Sequence, residues 1–382
     1  MQQRLVLVMG ILLGMMPLWA TVTVDAASSH THKVCGSVKP GYVRCDATVL
    51  TDGGDQALTS GAPRGYGPAD FRAAYGVRGN AAGHLAIVVA HDAPHIQSDL
   101  AVFSKTYGLP LLPSCTSAAQ ASCFEKLNEH GGVTLPAAES NWAVEASLDV
   151  ESAHGMCPQC RISLIEASST SLNSLSTAAE TAAALGATVV SNSYGGPEIG
   201  VETNYDSRYH KPGVTMVVSS GDSGYGTNYP AASPYVVAVG GTSLHMGSGR
   251  VSSEQAWSGA GSGCSSYEAK PAWQHDSRCG SRTIADVATD ADPSTGAAIY
   301  DSYPSGGRSG WLTVGVTSLS APLVAGIIAS SGVSANQPAN LYGNASAIRD
   351  VIGGNNGSCA SYLCRAVTGY DGPTGLGVLN HL

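Results

Sequence analysis

Continuous apolar runs alternate along this chain with stretches of helical spacing. His84-Leu-Ala-Ile-Val-Val-Ala90 is apolar from end to end, which predicts a strand covered on both faces. Residues 161–166, 187–193, 214–219 and 235–239 have the same character. Helical spacing marks residues 71–75 behind Pro68-Ala-Asp70, about 98–107, 140–155, and 171–185 closed by Gly186. Ser140 is the expected N-cap of the third helix, and Gly155 its expected terminal glycine. Strands alternating with helices predict an α/β class: a parallel sheet with helices on both faces, in a single large domain over residues 63–382. Residues 28–62 show no sustained periodicity and read as an irregular, disulfide-pinned lead-in.

Reactive loops in such sheets lie at the carboxyl ends of the strands. Two loops stand there: Ser193-Tyr-Gly-Gly196, and Asp222 within Ser220-Gly-Asp-Ser-Gly224. Later, Gly315-Val-Thr-Ser318 runs into an apolar helical stretch with Pro322 in its first turns, where a missing N–H costs little. Ser318 thus stands at the N-terminal end of a helix, where unpaired N–H groups favour negative charge. Such a place suits a nucleophile, and it suits a capping serine equally. Glu145 and Asp149 are four residues apart on the 140–155 helix and so share a face. Alone, they fit two solvated carboxylates as well as a catalytic pair.

The 382 residues carry 12% charged side chains and a net charge of -9, with no basic run, which argues against nucleic acid as a partner. Arg4 before an apolar run over 5–19, then Ala20, Ala26 and Ala27, reads as an export signal over residues 1–27 and hence as secretion. At ~15 residues the run is short for a membrane span, and no later stretch qualifies; a lone N-terminal anchor is the alternative. Ten cysteines fit that export and fall in neighbouring couples, although sequence alone does not fix their connectivity. Cys157-Pro-Gln-Cys160 fits a redox or zinc motif too, but no second such pair lies nearby.

Glu145-x-x-x-Asp149, Ser220-Gly-Asp-Ser-Gly224 and Thr317-Ser-x-x-Ala-Pro322 occur in the order seen in the sedolisins, the serine–carboxyl peptidases. With Tyr229-Pro-Ala-Ala-Ser-Pro-Tyr235, Asp286-Val, Ala291-Asp-Pro-Ser-Thr-Gly296 and Gly369-Tyr-Asp-Gly-Pro-Thr-Gly-Leu-Gly377, the chain resembles that family from Gly65 to Gly377. The resemblance implies a subtilisin-like fold and serine-type endopeptidase action on polypeptides in acid. It implies Ser318 as nucleophile, Glu145 as general base and acid, Asp149 as its proton-sharing partner and Asp222 in the oxyanion hole. It assigns Ser193, Tyr194, Gly195 and Gly196 to substrate binding. It further implies one Ca2+ ion held by Asp350 and Asp371 with the carbonyls of Val351, Val367 and Gly369, of which Val367 replaces the usual glycine. Two ordinary loop aspartates are the alternative there. The implied partners are polypeptide substrates, with no membrane beyond the export signal and a monomer by default.

A carboxylate base suits acid: its reference pKa is ~4.3 against ~6.5 for imidazole. Asp222 must keep its proton to donate to an oxyanion while Glu145 loses one. Two departures favour a rival, a weakened or inactive secreted binding protein on the same fold. Val316 stands where the family has glycine, a strain if positive φ is needed there. Residues 28–62 also leave no room for the family's long folded prosegment. Gly240-Gly-Thr-Ser243 is a decoy, read as a strand end and turn. His154 with Asp92 and Ser318 offers a His-based triad, although a histidine beside Gly155 complements a helix C-terminus.

Overall fold

The apolar runs form the middle of the molecule. The computed structural model describes residues 30–51, 61–305, 308–332 and 338–380; the expected export signal lies outside the described residues. A ten-stranded sheet runs Ile348–Arg349, Val378–Leu379, Val287–Asp290, Val236–Gly247, Thr215–Ser219, Val189–Asn192, His84–Ala90, Arg161–Ala167, Phe124–Asn128, with Arg250–Ala256 paired to Val236–Gly247. From Phe124–Asn128 to Val378–Leu379 every pairing is parallel. Helices flank the sheet, as expected for a single α/β domain; Arg161–Ala167, Val189–Asn192 and Thr215–Ser219 are buried along their whole length, and His84–Ala90 is buried beyond His84.

Two helices carry the site. Thr317–Ser331 is buried from Thr317 to Ser330, so it is a core helix apolar on every side. Ser140–Met156 packs directly against it and is itself buried from Trp142 onward. Gly326 permits the contact: a Cβ there would lie 2.5 Å from the Met156 Cβ. The ends of Ser140–Met156 differ from expectation. Glu139 is the N-cap, its carboxylate accepting from the Asn141 and Trp142 amides, and Gly155 lies inside the helix rather than after it. A carboxylate reaches two orphan N–H groups where a serine hydroxyl reaches one.

Gly240-Gly-Thr-Ser243 is likewise no turn. Its residues continue the strand Val236–Gly247, paired to Val287–Asp290 on one side and in part to Arg250–Ala256 on the other. The lead-in is more regular than its composition suggests. His30–Lys33 pairs with Thr48–Thr51, which meets Arg308–Val314 through Val49 and Val314. Arg44–Cys45 pairs with Tyr194–Pro197, whose other edge holds Asn228–Tyr229. The cysteines bond as neighbours: Cys35–Cys45, Cys115–Cys123, Cys157–Cys160, Cys264–Cys279 and Cys359–Cys364. Among the described residues no helix is long and apolar enough to cross a membrane.

Candidate active site

Ser318 is the second residue of its helix and fully buried. Glu145 and Asp149, on the helix packed against it, are fully buried as well, which removes the reading of two solvated carboxylates. Burial pushes the Glu145 carboxyl well above its usual range; repulsion from Asp149 adds to this, and the Ser318 hydroxyl opposes it. The hydroxyl completes no hydrogen bond, and Glu145 Oε1 is also unpaired. The pair is close enough to interact and remains available for chemistry. Asp149 is pushed up by burial and eased by the Ser193 hydroxyl, while neither of its oxygens completes a hydrogen bond. Two acids so placed share a proton more readily than both ionise.

Asp222 follows the strand Thr215–Ser219 at its carboxyl end. Its Oδ1 accepts the Thr317 amide at 2.7 Å, and the Gly221 amide donates to Thr317 Oγ1 at 3.1 Å. The Asp222 loop and the head of the serine helix are thereby tied twice. Oδ2 is buried and unpartnered. Burial first, then the charges of Asp46 and Glu145, push the Asp222 carboxyl well above its usual range, which favours the protonated donor. The strand Tyr194–Pro197 passes beside this group, and the Ser193 hydroxyl donates to the Ser318 carbonyl at 3.3 Å.

Val316 raises no strain. Its φ of 177° and ψ of 173° are extended backbone open to any residue. The His-based triad does not assemble either. His154 lies nine residues beyond Glu145, on the opposite side of the helix, and its Nε2 meets the Pro110 carbonyl at 3.0 Å. Burial holds it down to about 4, and Asp92 is paired with Lys126.

Near the C-terminal end, Asp350 lies close enough to Asp371 for its charge to act on it. Asp371 Oδ1 accepts from the Thr374 amide and hydroxyl, both at 2.9 Å, and Oδ2 from the Val367 amide at 3.0 Å. Asp350 Oδ2 accepts the Gly369 amide at 2.8 Å, and its Oδ1 is buried without a partner. An orphaned carboxylate oxygen with a second acid nearby fits a hard cation completed by carbonyls. Among the described residues no three His, Cys, Asp or Glu side chains gather into a metal cluster.

Sequence reasoning missed the lead-in residues that reach this site. The Ala47 amide donates to Glu145 Oε2 at 2.9 Å, Lys33 Nζ donates to the Asp222 carbonyl at 3.3 Å, and Asp46 is buried beside them. A signal was present: Val43, Cys45, Ala47 and Val49 are apolar at every second position, and all four are buried.

Comparison with known proteins gives the family. The chain is similar to sedolisin from Pseudomonas sp. (strain 101), 28% identical over 376 residues covering 85% of this chain and 61% of the relative. Kumamolisin from Bacillus sp. (strain MN-32) is 29% identical over 364 residues, covering 83% of this chain and 62% of that one. The chain thus spans about three-fifths of the length of the curated relatives it matches. The crystal structure of Pseudomonas sedolisin complexed with two molecules of pseudo-iodotyrostatin superposes with a TM-score of 0.70 at 26% identity, covering 84% of this chain and 96% of that one. The model of the subtilase family matches residues 128–352, more than half of the sequence and the part that holds all three acids and the serine; the chain belongs to the subtilase family.

Proposed function

We propose that the protein is a secreted serine-type endopeptidase working on the acid side of neutrality, with Ser318, Glu145, Asp149 and Asp222 as its catalytic set. One observation carries this reading. A buried serine at a helix head faces a buried carboxyl pair on the adjoining helix, and a third buried acid keeps one oxygen free. The similarity to sedolisin and kumamolisin supports it.

Ser318 Oγ attacks the carbonyl carbon of a peptide bond and passes its proton to Glu145. The carbonyl oxygen becomes an anion and accepts a hydrogen bond from protonated Asp222, a contribution of ~3–4 kcal/mol to the barrier. Glu145 returns the proton to the departing amine nitrogen as the C–N bond breaks. Water then hydrolyses the acyl-serine by the same route, its proton passing through Glu145 to Ser318. Asp149 shares the proton while Glu145 cycles. Activity falls at low pH, where the Glu145/Asp149 pair holds both protons, and at high pH, where Asp222 loses the one it donates.

Ser193, Tyr194, Gly195 and Gly196 would pair through their backbone with an extended substrate. One Ca2+ ion would be held by Asp350 and Asp371 with the carbonyls of Val351, Val367 and Gly369, fixing the C-terminal loop. The disulfides suit an oxidising compartment, which supports secretion. The test is digestion of an unfolded protein from about pH 3 to 7, wild type beside Ser318→Ala and Glu145→Ala. Acid digestion lost in both variants is expected; equal digestion by all three proteins refutes the assignment.

A further inference from the structure

The antiparallel pair Ala297–Ser305 and Arg308–Val314 leads straight to Ser318, because its second strand continues through Gly315 and Val316 into the serine helix. Its first strand is the outer edge of a four-stranded sheet, and an edge strand leaves alternate amides without a ladder partner. Three such amides are taken by groups outside the sheet. Ala298 donates to the Tyr66 carbonyl at 2.9 Å, Tyr300 to Glu151 Oε2 at 2.8 Å, and Ser302 to Asp99 Oδ2 at 2.9 Å. Of the three acceptors, Glu151 alone stands on the helix that carries Glu145 and Asp149. We propose that Glu151 is a positioning residue: its carboxyl oxygen pins the Glu145 helix to the strand pair that ends at Ser318, and so sets the distance over which Ser318 passes its proton. The inference rests on the peptidase reading above.

A carboxyl group is costly in this place. Glu151 is fully buried, borders Phe103, Ala298 and Leu323, and leaves Oε1 without a hydrogen bond. Burial pushes it well above its usual range, the Tyr300 amide opposes this, and the charges of Asp99 and Asp301 add to it. The Tyr107 phenol is close enough to feel its charge as well. An apolar side chain of the same volume would avoid that cost. What the carboxyl supplies instead is an acceptor with the reach to meet the Tyr300 amide.

The leverage lies along the helix. Ser140–Met156 also touches the serine helix where Met156 meets Gly326. Glu151 is five residues from that contact and Glu145 eleven, at about 1.5 Å of rise per residue. A pivot about Met156 therefore carries Glu145 about twice as far as Glu151. Holding Glu151 still removes the pivot.

The test is a series at one position of the full chain, assayed on unfolded carboxymethylated casein through the acid range. Glu151→Gln keeps both acceptor and reach; Glu151→Met keeps the volume without the acceptor; Glu151→Asp keeps the acid but is one methylene short. Glu151→Gln is expected to hold the wild-type kcat, while the other two lose about tenfold or more in kcat with KM unchanged. Their acid limb should also move to higher pH. The Ser318 hydroxyl opposes burial and the Asp149 and Asp46 charges at Glu145, and it would do so from further away. Asp99→Ala frees the same strand from a different helix, so it should lower the melting temperature and leave kcat and the acid limb in place.

A folded Glu151→Met protein with the wild-type kcat and acid limb overturns the proposal. So does a Glu151→Gln protein as slow as Glu151→Asp, which would make the proton decisive rather than the reach. Should Glu151→Met not fold, Glu151→Asp decides, and a wild-type kcat there overturns the proposal. With Ser318→Ala inactive, each of these results leaves the peptidase reading standing. Casein digested equally by wild type and Ser318→Ala refutes that reading, and positioning with it.

Discussion

Two clusters of buried acid are neutralised in different ways. At Asp286 the countercharge is a guanidinium: Arg282 Nη1 reaches Oδ1 at 2.7 Å and Nη2 reaches Oδ2 at 2.5 Å, with both side chains fully buried. The Tyr342 hydroxyl and the Ala238 amide fill the remaining acceptor sites, and the arginine lies over the Trp273 ring. At Glu145, Asp149 and Asp222 burial dominates, with repulsion from neighbouring acids adding at Glu145 and Asp222; among the described residues no cation pairs with these carboxyl groups, Lys33 reaching only the Asp222 backbone carbonyl. A fixed cation makes a carboxylate part of the framework. Without one, burial leaves the proton free to move, which is what acid–base chemistry needs.

The largest break in that contrast is at Ser318, the proposed nucleophile. Ser318→Ala should reduce kcat by a factor of ~10³ or more while leaving the melting temperature nearly unchanged. Peptide release assayed beside calorimetry checks both halves. At the other cluster the outcome should invert. Arg282→Met strands a buried carboxylate and should cost about 3–5 kcal/mol, with no shift in the pH profile of whatever activity survives. Denaturant titration measures the cost.

Gly326→Ala probes the packing between the two helices. Its Cβ would stand 2.5 Å from the Met156 Cβ. Overpacking of this kind costs about 1–3 kcal/mol, and kcat should fall because Ser318 and its proposed base Glu145 are pushed apart. Unchanged kcat would mean that the helices adjust without moving the site.

Acids neutralised by protons also dictate how stability depends on pH. Burial pushes Asp301 up to about 7, Glu268 to about 8 and Glu202 to about 9. In the unfolded chain such groups ionise near ~4. Between those limits the folded protein binds more protons than the unfolded one, so stability is greatest in acid and declines as pH rises toward 9. His154, held down to about 4, and His84, lowered by burial and then by the Arg161 charge, oppose this: their contribution is lost as pH falls below about 6.5. Calorimetry across about pH 5–9 should show a falling melting temperature, and a rising one would contradict this account. The smallest expected effect is at the C-terminal pair: chelation, or Asp371→Ala, should lower the melting temperature by a few degrees, on the order of 1 kcal/mol. No change in either would remove calcium from the description.

The sheet and the main helices were legible because a parallel sheet covered on both faces writes itself as unbroken apolar runs, as in His84–Ala90. The order of the acids and the serine was legible through family resemblance rather than periodicity. What escaped did so for physical reasons. Gly240 and Gly241 look like turn residues, but Pro373 and Trp257 pack where their side chains would be, so the strand continues through them. Glu139 displaced Ser140 as cap because the longer side chain reaches back over two amides. Residues 42–49 carry a strand's alternation in so short a span that the surrounding serine, glycine and threonine concealed it.

The double tie between the Asp222 loop and Thr317 has a mechanical consequence. Ser318 and Asp222, the proposed nucleophile and oxyanion donor, are joined through two hydrogen bonds at Thr317, so a shift of one tends to carry the other with it. The spacing of Glu145 from Ser318 rests instead on the packing of their two helices, and how firmly these are clamped is the lever by which turnover would be tuned to temperature.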